Sequence, residues 1–519
     1  MRMTNKIMRN NSLYNINQNK ILEDKLTNQM TNQSKIVRPS DDPVVAIRAL
    51  RLRSNVSSAT QYHDKNAKDA DQWLTVTADA LTTLDQVLKD LYEQATGAAN
   101  KYLTSEDLSI ILEQMKSLTK EFYASGNVDY AGRYVFSGFR TDTAITFSAE
   151  DIAQMERDRE KAPVSYDIQE DIGFENISTI SYTDFSVLAD GQNSLNGVNG
   201  GAGPQAGESY EQYVTNNTLY RFRLSYDNVD GKDKDGNPVI PELTKNGAAI
   251  TDINATPYEK AEDAYKAVAN GTEKGIAYIP STGELVFSEE YYKANFKEGD
   301  SFQVSYSKSE WEEGDINPVH YFKCTENRND KKIAYNTTDE DQDIYYDVGF
   351  NQKIQVNTVT DEVFTHNVQR DMDDFYQQSM KQLKDIETKV SDIEAKMKDL
   401  PEDDPAYKDL SAQLEGAKKA DTYIRENIQK KFENQITKYQ KYRDDNDLAI
   451  TNNATRGSRL DLITQRLCNQ KETFKELQTD NEGIDITQVA VELSSSELTY
   501  QAALMATGKI MQTNLMNYI

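Results

Sequence analysis

Apolar side chains recur at helical spacing towards both ends of the chain and at strand spacing only in its middle. Leu74, Leu81, Leu84, Leu88 and Leu91 follow one another at steps of 7, 3, 4 and 3, which places them on one face of a helix. The helical region is announced by Pro39-Ser40-Asp41-Asp42-Pro43. A carboxylate there caps open backbone N–H groups, and Pro43 suits the first helical position, where no donor is needed. A second helix is predicted from Thr104, with Asp107 in its first turn and Leu108, Ile111, Met115, Leu118 and Phe122 along it. Ser125-Gly126-Asn127 predicts a left-handed stop, and the two helices should pack antiparallel.

The most regular stripe comes late. Tyr376, Met380, Leu383, Ile386, Val390, Ile393, Met397 and Leu400 advance almost entirely by threes and fours, the spacing of a coiled-coil seam. Pro401 and Pro405 interrupt it, and Tyr407, Leu410, Leu414, Ala417, Ile424, Ile428, Phe432, Ile436 and Tyr439 run back, so 370–445 reads as a helical hairpin. In the middle, Tyr220 to Tyr226 and Phe302 to Tyr306 alternate apolar and polar side chains as half-buried strands do. The helix breakers agree. None of the 11 prolines lies in 44–162 or 406–519, and 16 of the 24 glycines fall between Gly173 and Gly349.

The fold class follows as α+β: an elongated helical rod and a terminal coiled coil formed by both chain ends, with a β-rich central region inserted. The expected domains are 1–40 with 480–519 as the coiled coil, 41–147 with 360–479 as the rod including the hairpin, and 148–359 as a β-rich surface region. Residues 196–207 read as a flexible loop or joint.

The two ends are electrostatic opposites. Residues 1–40 carry seven cations and two anions, whereas 480–519 carry one cation and five anions. Met3, Ile7, Tyr14 and Ile21 form one apolar stripe; Val489, Leu493, Tyr500, Leu504, Met511, Leu515 and Tyr518 form another. These are the expected assembly residues, and the two stripes are expected to face each other. Burying one thin stripe per helix does not offset the entropy of ordering both ends. The tails are therefore expected to be fixed only by neighbouring subunits.

Composition narrows the classes. The apolar fraction is 37% and mean hydropathy −0.75, which favours a thin body with much exposed surface. Lys and Arg number 58 against 85 Asp and Glu, a net charge of −27 that argues against nucleic acid as a partner. Cys324 and Cys468 are too few for a disulfide framework or a four-thiolate zinc site. No apolar run reaches the ~18–20 residues of a membrane span, and the start has no apolar segment typical of a cleavable signal. Export, if it occurs, is expected to use another machine.

No candidate chemistry emerges. The histidines are His63, His320 and His366, without an H-E-x-x-H pattern, and His320 with Cys324 supplies only two ligands. Gly231 to Gly236 with Glu242 imitates a calcium loop, but glycine stands where its first aspartate is required, and an acidic surface turn is the plainer reading. The glycine-rich run lacks the Lys-Ser/Thr ending of a phosphate loop, and there is no Gly-x-Ser-x-Gly. No enzyme, cofactor or metal site is expected.

Particular motifs then point to a family. Arg38-Pro39-Ser40-Asp41-Asp42-Pro43, Gln61-Tyr62 with Asn66, Gly126-Asn127 and Gly132-Arg133-Tyr134-Val135-Phe136-Ser137-Gly138 occur in that order. Arg456-Gly457-Ser458-Arg459-Leu460, Asp485-Ile486, Tyr500-Gln501-Ala502-Ala503 and Asn514 to Ile519 follow near the end. Together they resemble the bacterial flagellin-like axial proteins over roughly 1–147 and the last 170 or so residues, apart from the helical hairpin. The resemblance implies a subunit at the junction between hook and filament, between the first hook-associated protein and flagellin. It also implies self-assembly, export through the flagellar channel with a chaperone, and an Asp41-Asp42-Pro43 turn joining inner and outer layers. A flagellin-type filament subunit is the alternative within the family. From another class, an adhesin or carbohydrate-binding module in the central region would use the aromatics of 220–226 and 302–306.

Overall fold

Carboxylates, hydroxyls and prolines set the helix starts where the sequence places them. The computed structural model describes residues 5–100, 103–158, 164–188, 209–233, 236–328, 331–335 and 342–512. Its helices are α1 (Asn5–Asn32), α2 (Pro43–Gln61), α3 (Ala67–Ala98), α4 (Ser105–Ala124), α5 (Ala149–Asp158), α6 (Ala261–Ala269), α7 (Glu289–Asn295), α8 (Thr360–Val363), α9 (Asn367–Asp374), α10 (Lys381–Lys398), α11 (Pro405–Glu482) and α12 (Ile486–Gln512). Asp42 caps α2 by accepting from the N–H groups of Val44 and Val45, with Pro43 in the first turn. Thr104 and Asp107 form a reciprocal capping box on α4. Two compact units result, one made of residues 1–71, 346–354 and 457–519, the other of 72–345 and 355–456.

In the larger unit, Leu74, Leu81, Leu84, Leu88 and Leu91 are all buried, as are Leu108, Met115 and Phe122 of α4. Asn446 and Asn453 of α11 are buried beside α3 and donate to the carbonyls of Leu81 and Leu74 at 3.1 and 2.8 Å. Gly126 departs from expectation. It lies in a 3-10 turn, Ser125–Asn127, outside the left-handed region. Glycine is required there by packing: an added Cβ would stand 2.2 Å from Ile145 Cδ1 and 2.8 Å from Phe364 Cζ. Left-handed geometry appears six residues on, where Ala131 and Gly132 turn the hairpin of β1 (Asp129–Tyr130) and β2 (Arg133–Tyr134).

The β-rich part has two sheets. The strands are β3 (Val164–Gly173), β4 (Ser178–Asp184), β5 (Thr215–Arg223), β6 (Glu242–Lys245), β7 (Ala248–Ile250), β8 (Ala277–Ile279), β9 (Glu284–Phe287), β10 (Ser301–Lys308), β11 (Lys323–Arg328) and β12 (Lys331–Tyr335), with β13 (Tyr345–Gly349) and β14 (Gln352–Gln355) paired separately. A six-stranded sheet runs β12-β11-β3-β10-β6-β7 and a four-stranded one β4-β5-β9-β8. Phe222, Leu285 and Phe287 share one core with Phe302, Val304 and Tyr306. On the other face, Leu219, Ile279 and Val286 pack with Ala264, Tyr265 and Val268 of α6.

Strand β5 is therefore covered on both faces, which corrects the half-buried reading. Arg221 and Arg223 point away from the aromatic core into a buried ionic cluster rather than into water. The late stripe is also modified. Residues Phe375–Met380 form a π-helical turn before α10; Met380 at its end and Leu383, Ile386 and Ile393 beyond it are buried. The chain reverses between Lys398 and Pro405, where the two prolines stop one helix and start the next.

Candidate assembly surface

Helices α1 and α12 lie antiparallel. Ser34 bridges Gly483, and the Lys35 N–H donates to the Glu482 carbonyl at 2.8 Å, so the end of α1 adjoins the start of α12. Asp485 opens α12 by accepting from the N–H groups of Thr487 and Gln488. The face that α1 buries comprises Ser12, Ile16, Asn19, Glu23 and Leu26, wholly or in part, at steps of 4, 3, 4 and 3. On α12 the corresponding positions are Val489, Leu493, Ser496, Tyr500, Ala503 and Thr507. The same spacing on both helices is that of a coiled-coil seam, filled here mostly with small and polar side chains.

The structure separates the expected assembly residues into two groups. Val489, Leu493 and Tyr500 lie on the seam. Ile7, Tyr14 and Ile21 do not: they occupy the opposite face of α1, with Tyr14 64% and Ile21 62% exposed, so the two predicted stripes do not face each other within one chain. Leu504 is exposed as well. Met511 falls in the last turn of α12, while Met3, Leu515 and Tyr518 lie outside the described residues. The expected stripes omit Ser12, Ile16, Asn19, Glu23 and Leu26 of α1 and Ser496, Ala503 and Thr507 of α12. Their 3–4 spacing is a signal, but most of these positions are small or polar, and on α1 the apolar residues Ile7, Tyr14 and Ile21 make a competing stripe.

The turn at 41–43 is built by its carboxylates. Asp41 Oδ2 accepts from the backbone N–H groups of Val37 at 3.0 Å and Arg38 at 2.8 Å. Those two bonds, Arg38's first, hold its carboxyl below the usual carboxylate range. Beyond α2, Asp64 lies in a π-helical turn and pairs with Lys471 of α11 at 2.6 Å; this pair, helped by His63, lowers the Asp64 pKa to about 2.

The other candidates prove structural. His320 is buried, with Nδ1 3.2 Å from the Ser137 carbonyl and Nε2 3.1 Å from the Ala144 carbonyl; burial, with Arg140 nearby, lowers its pKa to about 4. Cys324 is a buried residue of β11 whose thiol burial pushes up to about 12. Among the described residues no group of three or more His, Cys, Asp or Glu could hold a metal ion. Asp233 of the calcium-like turn accepts from Asn237 N–H and Nδ2, while Lys234 and Asp235 lie outside the described residues, as do 196–207. Phe222, Tyr226, Phe302 and Tyr306 are buried, so those aromatics fill a core and offer no sugar-binding surface. No described helix is long and apolar enough to cross a membrane.

A cluster that sequence reading did not find joins the four-stranded sheet to the helices of the larger unit. Arg221 bonds Asp374 and Glu284, Arg223 bonds Asp371 and Asp374, and Lys438 bonds Asp371 at 2.8 Å. Tyr265 donates to Glu284 at 2.6 Å. Burial alone would neutralise such carboxylates, but the guanidinium groups prevail and hold Asp371 and Asp374 below the usual range. Burial brings Lys431, beside them, down to about 8, against the pull of Asp374.

Comparison with known proteins agrees with a chain built from its terminal helices. Residues 3–141 match the family described as the bacterial flagellin N-terminal helical region, so this part of the chain is flagellin-like. The particular protein the chain resembles is flagellar hook-associated protein 3. It is 26% identical to that protein of Escherichia coli over 151 residues, 29% of this chain and 47% of the relative. Identity to the Salmonella typhimurium protein of the same name is 24% over 145 residues, 28% of this chain and 45% of the relative. The matched part thus spans about half the length of these curated relatives. Solved structures of a flagellar hook-associated protein from Vibrio parahaemolyticus (12% identity, 85% of this chain, 100% of that chain, TM-score 0.32) and of hook-associated protein 3 from Legionella pneumophila (11%, 81%, 98%, 0.20) are also similar.

Proposed function

We propose that this chain is a structural subunit of the bacterial flagellum that joins a hook-associated protein on the hook side to the flagellin filament. One observation carries the reading. Nineteen of the twenty-four large hydrophobic side chains exposed among the described residues belong to the smaller unit, chiefly on α1, α2 and α12. Apolar surface concentrated on the terminal helices is surface kept for other subunits. Ile7, Tyr14, Ile21, Leu504 and their neighbours then act in assembly, and the Asp41-Asp42-Pro43 turn joins an inner helical layer to an outer one. The 148–359 region forms the outward layer. The role is mechanical, so neither turnover nor a cofactor enters it, and the subunit works outside the cell after export through the flagellar channel with a chaperone.

Deleting the gene in the parent bacterium tests this. Flagellin shed as monomer from cells that keep their hooks is the expected result. Intact filaments on the deletion strain reject the proposal.

A further inference from the structure

Helix α2 is amphipathic in the inverted sense. Its inward face consists of Ala46, Ala49 and Ala59 with the half-buried Val45, Leu52 and Val56, whereas Val44, Ile47 and Leu50 point to solvent, Leu50 64% exposed. Helices of soluble proteins ordinarily turn their larger apolar residues inward. The inward face is tied down: Asn481 Nδ2 donates to the Val45 carbonyl at 3.1 Å, and Arg53 pairs with Glu482. The helix therefore presents its ridge in one fixed orientation. Arg48 and Arg51 are exposed beside the ridge, and 43–61 contains three arginines and no carboxylate in a chain of net charge −27.

The matching surface in this chain is the outward face of α12. Val491, Leu498 and Met505 recur every seven residues opposite the seam and are all exposed, Leu498 68%. Glu492 and Glu497 flank them, and no cation occurs between Ile484 and Lys509. Because both faces are exposed in one chain, they do not cover each other there. We propose that the Val44-Ile47-Leu50 ridge of one copy docks on the Val491-Leu498-Met505 face of a second copy, with Arg48 and Arg51 against Glu492 and Glu497. The inference rests on the assembly reading above and assigns it one specific contact. Apolar contact supplies the attraction and the opposed charges select the partner face.

The test uses full-length chains carrying Cys468→Ser. Copies with Ile47→Cys are mixed with copies carrying Leu498→Cys and oxidised with copper phenanthroline, while sedimentation follows assembly of the unlabelled chain. A disulfide-linked pair is expected. Its yield should fall about tenfold with Arg48→Glu/Arg51→Glu and recover when the second copy carries Glu492→Arg/Glu497→Arg. Assembly without this cross-link, or a cross-link indifferent to the charge reversals, overturns the contact and leaves the assembly reading intact. A chain that stays monomeric at every concentration overturns both.

Discussion

The Arg221 guanidinium grips the Asp374 carboxylate with both terminal nitrogens, Nη1 lying 3.1 Å from Oδ1 and Nη2 bonding Oδ2. One residue is on a strand of the four-stranded sheet and the other ends α9, so the pair is a covalent-free rivet between sheet and helix. Glu284 and Arg223 extend it on either side.

Removing Asp374 leaves Arg221 with Glu284 and Arg223 with Asp371, so the buried cluster keeps its cations and loses one of the carboxylates that balance them. Asp374→Asn is expected to destabilise the chain by about 3–5 kcal/mol, far more than loss of a surface ion pair. Lys293→Ala, which breaks a fully exposed pair with Glu289, is the control and should leave stability unchanged within the error of the measurement. Urea unfolding of both variants decides. Equal effects would mean that the rivet contributes no more than a surface contact.

Two buried histidines work against stability in mild acid, while the carboxyls of Glu170, Asp230, Asp315 and Glu362, all raised by burial, work in its favour. Burial lowers His366 to about 3 and His320 to about 4, whereas an unfolded histidine takes its proton near 6.5. Between those limits the unfolded chain binds more protons, so the stability present above about pH 6.5 is lost as the pH falls towards 4. Asp373 works the other way. Burial pushes its carboxyl up to about 6, so over roughly pH 4–6 it favours the folded state as pH falls and offsets one histidine. Among the described residues neither nitrogen of His366 has a hydrogen-bond partner, and the ring lies among Tyr226, Tyr321 and Phe322. His366→Phe should therefore flatten the acid limb and raise stability at pH 7 by about 1 kcal/mol. An acid limb of unchanged slope would show that His366 does not titrate as the fold requires.

Gly126 and Gly132 distinguish two reasons for a glycine. At Gly126 an added Cβ meets Ile145 and Phe364, so Ala and Asn should both destabilise by about 1–3 kcal/mol. At Gly132 φ is +76° with nothing within 4 Å of a Cβ, so Asn, which tolerates that conformation, should cost less than Ala. Thermal unfolding of the four variants gives the ranking. If Asn were tolerated at 126 and Ala at 132, both assignments would be reversed.

Much of the fold was legible because large apolar residues at regular spacing have one explanation. The Leu74 to Leu91 stripe, the Thr104–Asp107 cap and the Pro401–Pro405 reversal all appear where periodicity and caps place them. Where burial is achieved by other chemistry, the sequence misleads. Arg221 and Arg223 have the signature of a solvated strand face, and it takes Glu284 of β9 and the acids of α9, some 150 residues away, to make them a core. The terminal helices show the same limit at the assembly surface. Their large residues were legible, but not which face each would serve, since Ser496 and Thr507 are buried while Leu498 and Tyr14 are not. Within one chain the larger apolar residues of α1 and α12 carry the stronger pattern and remain exposed, while smaller and polar ones close the seam.

The two faces of α1 should accordingly respond to alanine in opposite ways. Ile16 and Leu26 are its only buried large hydrophobic side chains, so Ile16→Ala/Leu26→Ala should abolish amide protection in α1 and α12 of the isolated chain. Even without substitution, a seam closed by so little apolar area should exchange much faster than α3, whose leucine stripe is fully buried. Tyr14→Ala/Ile21→Ala removes only exposed surface, so stability should stay within about 0.5 kcal/mol while self-association, followed by sedimentation, is lost. Hydrogen exchange and sedimentation on the same two double variants separate the roles. If the outward variant lost protection and kept association, the helix pair rather than its outer stripe would be the assembling element.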